Sequence, residues 1–125
     1  MKNNWKGLGM ILFSVLLVDS GQLLLKYGLI RMGEITWGLS YLITIFFGLL
    51  FNPFIWLAAI FMVASAFTWL LALSKSTLSY AYPILSVGYV LVSILSWLFF
   101  GELMNLTKVV GLGIIAVGVV MLSRT

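Results

Sequence analysis

The sequence predicts an all-α integral membrane bundle of four transmembrane helices plus one short interfacial or re-entrant helix. Three observations predict it. Of 125 residues, 63% are hydrophobic and 8% charged, with a mean hydropathy of +1.21, a balance that water-soluble domains rarely approach. The apolar runs are long and unbroken, where a membrane barrel would alternate apolar with polar residues. A crossing helix needs about 20 apolar residues to span roughly 30 Å of hydrocarbon, so four crossings take about two thirds of the chain and leave linkers, not a catalytic domain.

The first span is read at 7–25. The start MKNNWKGLGMILFSVLLVDSGQLLLK places basic residues before an apolar stretch, as a signal peptide does. It lacks a convincing small-residue cleavage site and runs on too long, so it counts as a span. It ends at the linker KYGLIRMGE, where Lys26, Arg31 and Glu34 mark the water interface. Segment 35–51 is long enough, at about 1.5 Å per residue, to cross only a thin membrane. Thr36, Ser40, Thr44 and Gly48 recur every fourth residue beside Phe46, Phe47 and Leu50, a pattern that favours an interfacial or re-entrant helix over a fifth crossing. Asn52-Pro53 breaks the chain, because the residue before proline avoids the helical region and proline suits a first helical turn. The remaining spans are read at 53–73, ending in SKSTLS around Lys75, at 79–100, bounded by Gly101-Glu102, and at 108–123, closing on Arg124. The whole chain, 1–125, reads as one membrane domain without repeats or low-complexity tracts.

Cysteine and histidine are absent, which removes thiol nucleophiles, disulfides, the softer metal ligands and the usual general base. No nucleophile–base pair or cofactor loop is visible, so neither an enzyme nor a bound metal or cofactor is expected. The net charge of +4 comes from Lys2, Lys6, Lys26, Arg31, Lys75, Lys108 and Arg124, nearly all at span ends. That is a lipid-headgroup pattern and not a nucleic-acid footprint. Four spans put four of these cations on one side and three on the other, and five spans reverse the score, so the charge rule fixes no topology.

Asp19 is the most informative residue, since an ionisable group deep in an apolar helix costs about 2.5–3.5 kcal/mol on insertion scales. Gln22 and Lys26 follow at offsets of three and seven, on one helical face with Gly21 beside them. Two readings are open: an internal bond that staples this helix to a neighbour, or a polar cavity where Asp19 holds a proton or an amine and Lys26, near a mouth, a phosphate. In the third span Tyr82, Ser86, Tyr89 and Ser93 share a face, either for helix packing or for ligand contact, and Pro83 frees a carbonyl near Tyr82. Ser65, Thr68 and Trp69 share a face of the second span, as a third cavity wall or as packing and interfacial anchorage. Gly111 and Gly118, two turns apart in the last span with Gly113 nearby, form a weak dimer or helix-packing motif.

These residues carry a resemblance. SYAYPILSVGYVLVSILSWLFFGE, residues 79–102, with the following VVGLGIIAVGVVML, resembles the third and fourth helices of the small multidrug resistance and EamA-like branches of the drug/metabolite transporter superfamily. SGQLLLKYG, residues 20–28, looks like the pattern of the four-helix subunits that flip undecaprenyl-phosphate aminoarabinose across bacterial inner membranes. With WLLALSKSTLSYAYP the resemblance covers most of the chain outside 35–51. The small exporters carry a first-helix glutamate that binds protons or a cationic drug, and their pattern sets Val18 at that position. Asp19 is one residue on, about 100° around the helix.

The resemblance implies a multi-pass bacterial inner-membrane protein and lipid transport: a flippase or carrier for a polyprenyl-phosphate-linked sugar, with Lys26 on the phosphate and Gln22, Tyr82, Ser86 and Tyr89 on the sugar. Four helices are few for enclosing such a cavity, so a homodimer, or a heterodimer with a related small membrane protein, is expected among membrane lipids. Two alternatives are carried: a proton-coupled exporter of small cationic compounds, motivated by Asp19, and a non-transporting membrane subunit in which Asp19 and Lys26 serve assembly.

Overall fold

A computed structural model describes residues 4–33 and 38–125, with side chains from Lys6 onward. Lys2, Glu34, Ile35 and Thr36, which entered the sequence reading, lie outside the described residues. The elements are α1 (Asn4–Met32), α2 (Leu39–Leu50), α3 (Pro53–Lys75), α4 (Leu78–Ile84), α5 (Ser86–Phe100) and α6 (Leu106–Ser123). Four helical stretches are long and apolar enough to cross a membrane, Lys6–Met32, Pro53–Lys75, Leu78–Phe100 and Leu106–Ser123, as the composition predicts. The twelve residues of α2 rise only about 18 Å, short of the roughly 30 Å of hydrocarbon.

Helix α1 continues seven residues past position 25, through the stretch read as a linker, because KYGLIRM contains no proline and its single glycine is tolerated mid-helix. The helix stops at Gly33, whose φ of +86° provides the left-handed turn that ends many helices. Lys26 and Arg31 therefore project from a continuous helix.

The main packing is α1 against α3, and its basis is a seven-residue repeat of small residues. Gly7, Ser14, Gly21 and Gly28 on α1 and Ala58, Ser65 and Ala72 on α3 are all buried. A seven-residue period keeps one helical face toward its partner, and small residues let the backbones approach. A Cβ placed on Gly21 would stand 3.1 Å from the Ala58 carbonyl oxygen, and one on Gly7 would stand 2.8 Å from Ser76 Cβ. At the centre the two serines exchange bonds: Ser14 Oγ donates to the Ser65 carbonyl at 3.0 Å and Ser65 Oγ to the Ser14 carbonyl at 2.8 Å. At the far end Asn52 accepts from Phe54 N at 3.0 Å, capping α3 ahead of Pro53, and donates to the Gly28 carbonyl at 3.2 Å.

The third crossing is divided. Pro83 lies in α4, where its ring can donate no backbone bond, and Leu85 N–H is shared between the Ala81 and Tyr82 carbonyls before α5 resumes at Ser86. Tyr80, Ala81 and Ile84 of this segment join Ile11, Val15 and Ala72 in the buried apolar cluster. Helix α6, capped by Asn105, packs on α4 and α5 and leaves most of its surface exposed.

Two outcomes test the α1–α3 seam. Gly21→Leu should lower stability by about 1–3 kcal/mol, the usual penalty of overpacking, read as a fall in the thermal midpoint in detergent. Gly9→Leu, with nothing within 4 Å of its would-be Cβ, should stay within about 0.5 kcal/mol. A double-mutant cycle of Ser14→Ala and Ser65→Ala should give a coupling energy of about 0.6–1.7 kcal/mol.

Candidate functional site

The face of α1 turned from α3 toward α5 carries the polar residues. Asp19 is buried at 6% exposure, and α5 can pack beside it because residue 88 is glycine. A Cβ there would sit 3.1 Å from Asp19 Oδ1 and 3.2 Å from Oδ2. Asp19 Oδ2 is enclosed with no hydrogen-bond partner among the described residues. Such an atom forfeits its hydration without replacement, which costs more for a carboxylate than for a neutral group.

Beside Asp19 lies a cavity of about 300 Å³ between α1 and α5. Its polar lining comes from Asp19, Gln22, Tyr89 and Ser93, and its apolar lining includes Val15, Val18 and Val92. Val18 and Asp19 thus border one cavity despite the rotation between them. A second cavity, of about 690 Å³, lies further along α1 and is bordered by Gln22, Lys26, Gly33 and Met62. Gln22 belongs to both.

Lys26 Nζ forms an ion pair with Glu102 Oε1 and lies 5.4 Å from the centre of the Phe100 ring. The geometry has a local cause. Gly101 adopts a φ of +65° as the left-handed cap of α5, and the next N–H, that of Glu102, bonds back to the Ser96 carbonyl at 3.4 Å. This cap bends the chain at the end of α5, where Glu102 meets Lys26. Both side chains are roughly half-exposed, and ion pairs of that kind contribute about 0–1 kcal/mol.

The structure brings Asp19, Gln22, Tyr89, Ser93 and Lys26 to these two adjoining cavities and places Ser65, Thr68, Trp69, Tyr82, Ser86, Gly111 and Gly118 outside them. Tyr82 packs its ring edge-to-face on Trp69, 5.5 Å between centres, and neither borders the cavities. Ser86 is half-buried at the first turn of α5. Leu85 keeps right-handed helical geometry between α4 and α5, so Tyr82, Ser86, Tyr89 and Ser93 still share a face, of which only Tyr89 and Ser93 reach the cavity. Ser65 is engaged in the α1 seam, and Thr68 Oγ1 donates to the Ala64 carbonyl of its own helix. Gly111 and Gly118 have no atom of another described element within 4 Å of a would-be Cβ, so no described helix packs closely on them.

Two positions that shape this geometry escape sequence reasoning. Glu102 reads there only as a span boundary, although it is one of just three acidic residues in the chain, and an acid at one span end opposite a lysine at another is a pairing signal. Gly88 carries no local signal, since its value lies in the helix that approaches it.

No family model matches the chain, and no solved structure does. Curated relatives do. A protein of Erwinia tasmaniensis named a probable 4-amino-4-deoxy-L-arabinose-phosphoundecaprenol flippase subunit, ArnF, is 35% identical over 118 residues, which cover 93% of each chain. The ArnF of Photorhabdus laumondii is 33% identical, with 90% of this chain and 93% of the relative covered. The ArnE subunit of Hamiltonella defensa is 38% identical over 72 residues, 56% of this chain and 65% of the relative. With four helices able to span a bilayer, these bacterial relatives make the chain a multi-pass protein of the bacterial inner membrane. Similarity at this level along nearly the whole length establishes that the chain belongs to the family of 4-amino-4-deoxy-L-arabinose-phosphoundecaprenol flippase subunits.

Proposed function

We propose that this chain is a subunit of a flippase that moves a polyprenyl-phosphate-linked sugar between the leaflets of the inner membrane. The observation that carries the reading is the pair of adjoining cavities along α1, one reaching Lys26 and the other Asp19, with Gln22 bordering both. Moving such a lipid asks for a polar route just wide enough for a phosphate and a sugar, while the isoprenoid tail stays in hydrocarbon and loses no solvation. The protein's task is movement, and no bond of the cargo is made or broken.

Lys26 is the phosphate-binding residue. Its partner Glu102 holds the ammonium at the mouth of the larger cavity, and because a half-exposed pair is weak, a phosphate with three acceptor oxygens can displace the carboxylate. Gln22 and Tyr89 then meet the sugar hydroxyls. Tyr89 is seven residues from Tyr82 along the third crossing, so the Tyr82–Trp69 ring pair continues the route toward the opposite surface, past Ser86. The alternative exporter and non-transporting readings are less well supported, because full-length relatives carry a flippase name.

A subunit needs a partner, and α6 is where we place it. Gly111 and Gly118 are seven apart, the spacing that builds the α1–α3 seam, and both open outward. A helix of a second copy or of a related small membrane protein fits that half-seam.

Reconstituted into liposomes from solubilised membranes, the full chain should carry a polyprenyl-phosphate sugar to the opposite leaflet. Lys26→Ala should slow that transport at least about tenfold, the ratio set by roughly 1.4 kcal/mol of lost phosphate binding, while its thermal midpoint stays near that of the wild type. Unchanged transport in Lys26→Ala would remove the phosphate role from this residue.

A further inference from the structure

We infer that Asp19 is an ammonium-binding site, which takes the positively charged amino group of an aminosugar headgroup and so selects amino-sugar lipids over neutral ones. The inference rests on the flippase reading and adds to it the chemical feature by which the cargo is chosen.

Asp19 is 94% enclosed, taking its 6% exposure, and Oδ2 has no donor among the described residues. No cation among the described residues is paired with it: Lys26 is held by Glu102, and Arg31 lies over the Tyr27 and Phe54 rings. Such a group is costly to keep in a membrane helix, about 2.5–3.5 kcal/mol even on the mildest scale. A residue serving only to staple helices would hold its partner in the folded chain, as Ser14 holds Ser65. Asp19 instead borders a cavity, so its complement comes from outside.

The lining limits what that complement is. Gln22, Tyr89 and Ser93 supply hydroxyl and amide groups, with no second acid and no histidine for a metal, and valines close the remainder. A primary ammonium gives up to three donors to one carboxylate and neighbouring oxygens, which suits this set. Lys26 and Asp19 are seven residues apart, about 10.5 Å along the helix axis and on nearly one face. A headgroup with phosphate at one end and ammonium at the other thus meets a cation at the mouth and an anion at depth, in the order of its own charges. Gly88 is the second element of the site, because a side chain there would stand within 3.2 Å of both carboxylate oxygens.

The test compares two probes in the same proteoliposomes: a polyprenyl-phosphate aminosugar and the same lipid with a hydroxyl in place of the amine. Wild-type full chain should move the amino lipid at least about tenfold faster, and Asp19→Asn should bring the ratio close to one. Equal rates for both lipids in the wild type, or a ratio unchanged in Asp19→Asn, would overturn the inference and leave the flippase reading standing. Failure of the wild type, reconstituted together with the small membrane partner that copurifies with it, to move either lipid would instead remove the flippase reading itself. Should Asp19→Asn not accumulate in the membrane, Gly88→Ala decides, since it keeps the carboxylate and crowds its ligand side. A ratio lowered toward one supports the site, and an unchanged ratio contradicts it.

Discussion

The seam between α1 and α3 is the constraint on which the rest of the structure depends. In lipid there is no hydrophobic force to drive one apolar helix against another, so close packing and hydrogen bonds have to hold them. Here the seam uses both. Glycine, serine and alanine recur every seven residues along the two helices, and Ser14 and Ser65 bond each other's carbonyls at its centre. Asn52 closes one end, on the Gly28 carbonyl. With one face of α1 fixed in this way, its other face is presented to α5 in a set orientation, and that is the face that bears Asp19 and Gln22.

The proposed function therefore rests on a division of labour around a single helix. The small-residue face supplies rigidity, and the polar face supplies chemistry at two depths, with Asp19 enclosed and Lys26 at the end of the apolar stretch. Glycine serves both faces: Gly21 admits the α3 backbone and Gly88 on the facing helix admits the Asp19 carboxylate. The Lys26–Glu102 pair marks the place where the two ends of different crossings meet. Its weakness fits the proposed phosphate site, since a strong pair there would exclude a phosphate.

The sequence makes the membrane bundle legible because hydropathy reports the solvent directly: long apolar runs, with cations at their ends, allow few other folds. It also makes Asp19, Gln22 and Lys26 legible as one stripe, since seven residues bring a helix round to nearly the same face. What it conceals is pairing between helices. The stripe through Tyr82, Ser86 and Tyr89 reaches the cavity only at Tyr89, because which part of a helical face meets a neighbour is set by tertiary packing. Glu102 as the partner of Lys26 and Gly88 as the neighbour of Asp19 are facts of tertiary contact that no local pattern encodes. The seven-residue repeat of small residues, by contrast, is visible in the sequence at Gly7, Ser14, Gly21 and Gly28. It is easily passed over because strict GxxxG spacing is the more familiar sign of close helix approach.

The central claim, that α1 is held against α3 by its small-residue face, is tested most directly by disulfide cross-linking in native membranes. The natural chain contains no cysteine, so a Ser14→Cys, Ser65→Cys double variant carries only the two introduced thiols, at positions whose hydroxyls lie 3.0 Å apart. The account predicts an intramolecular disulfide that forms on mild oxidation, while a control pairing Ser14→Cys with Phe67→Cys, from an exposed position of α3, stays reduced. A control that cross-links as readily as the Ser14–Ser65 pair, or a double variant that stays reduced, would contradict it.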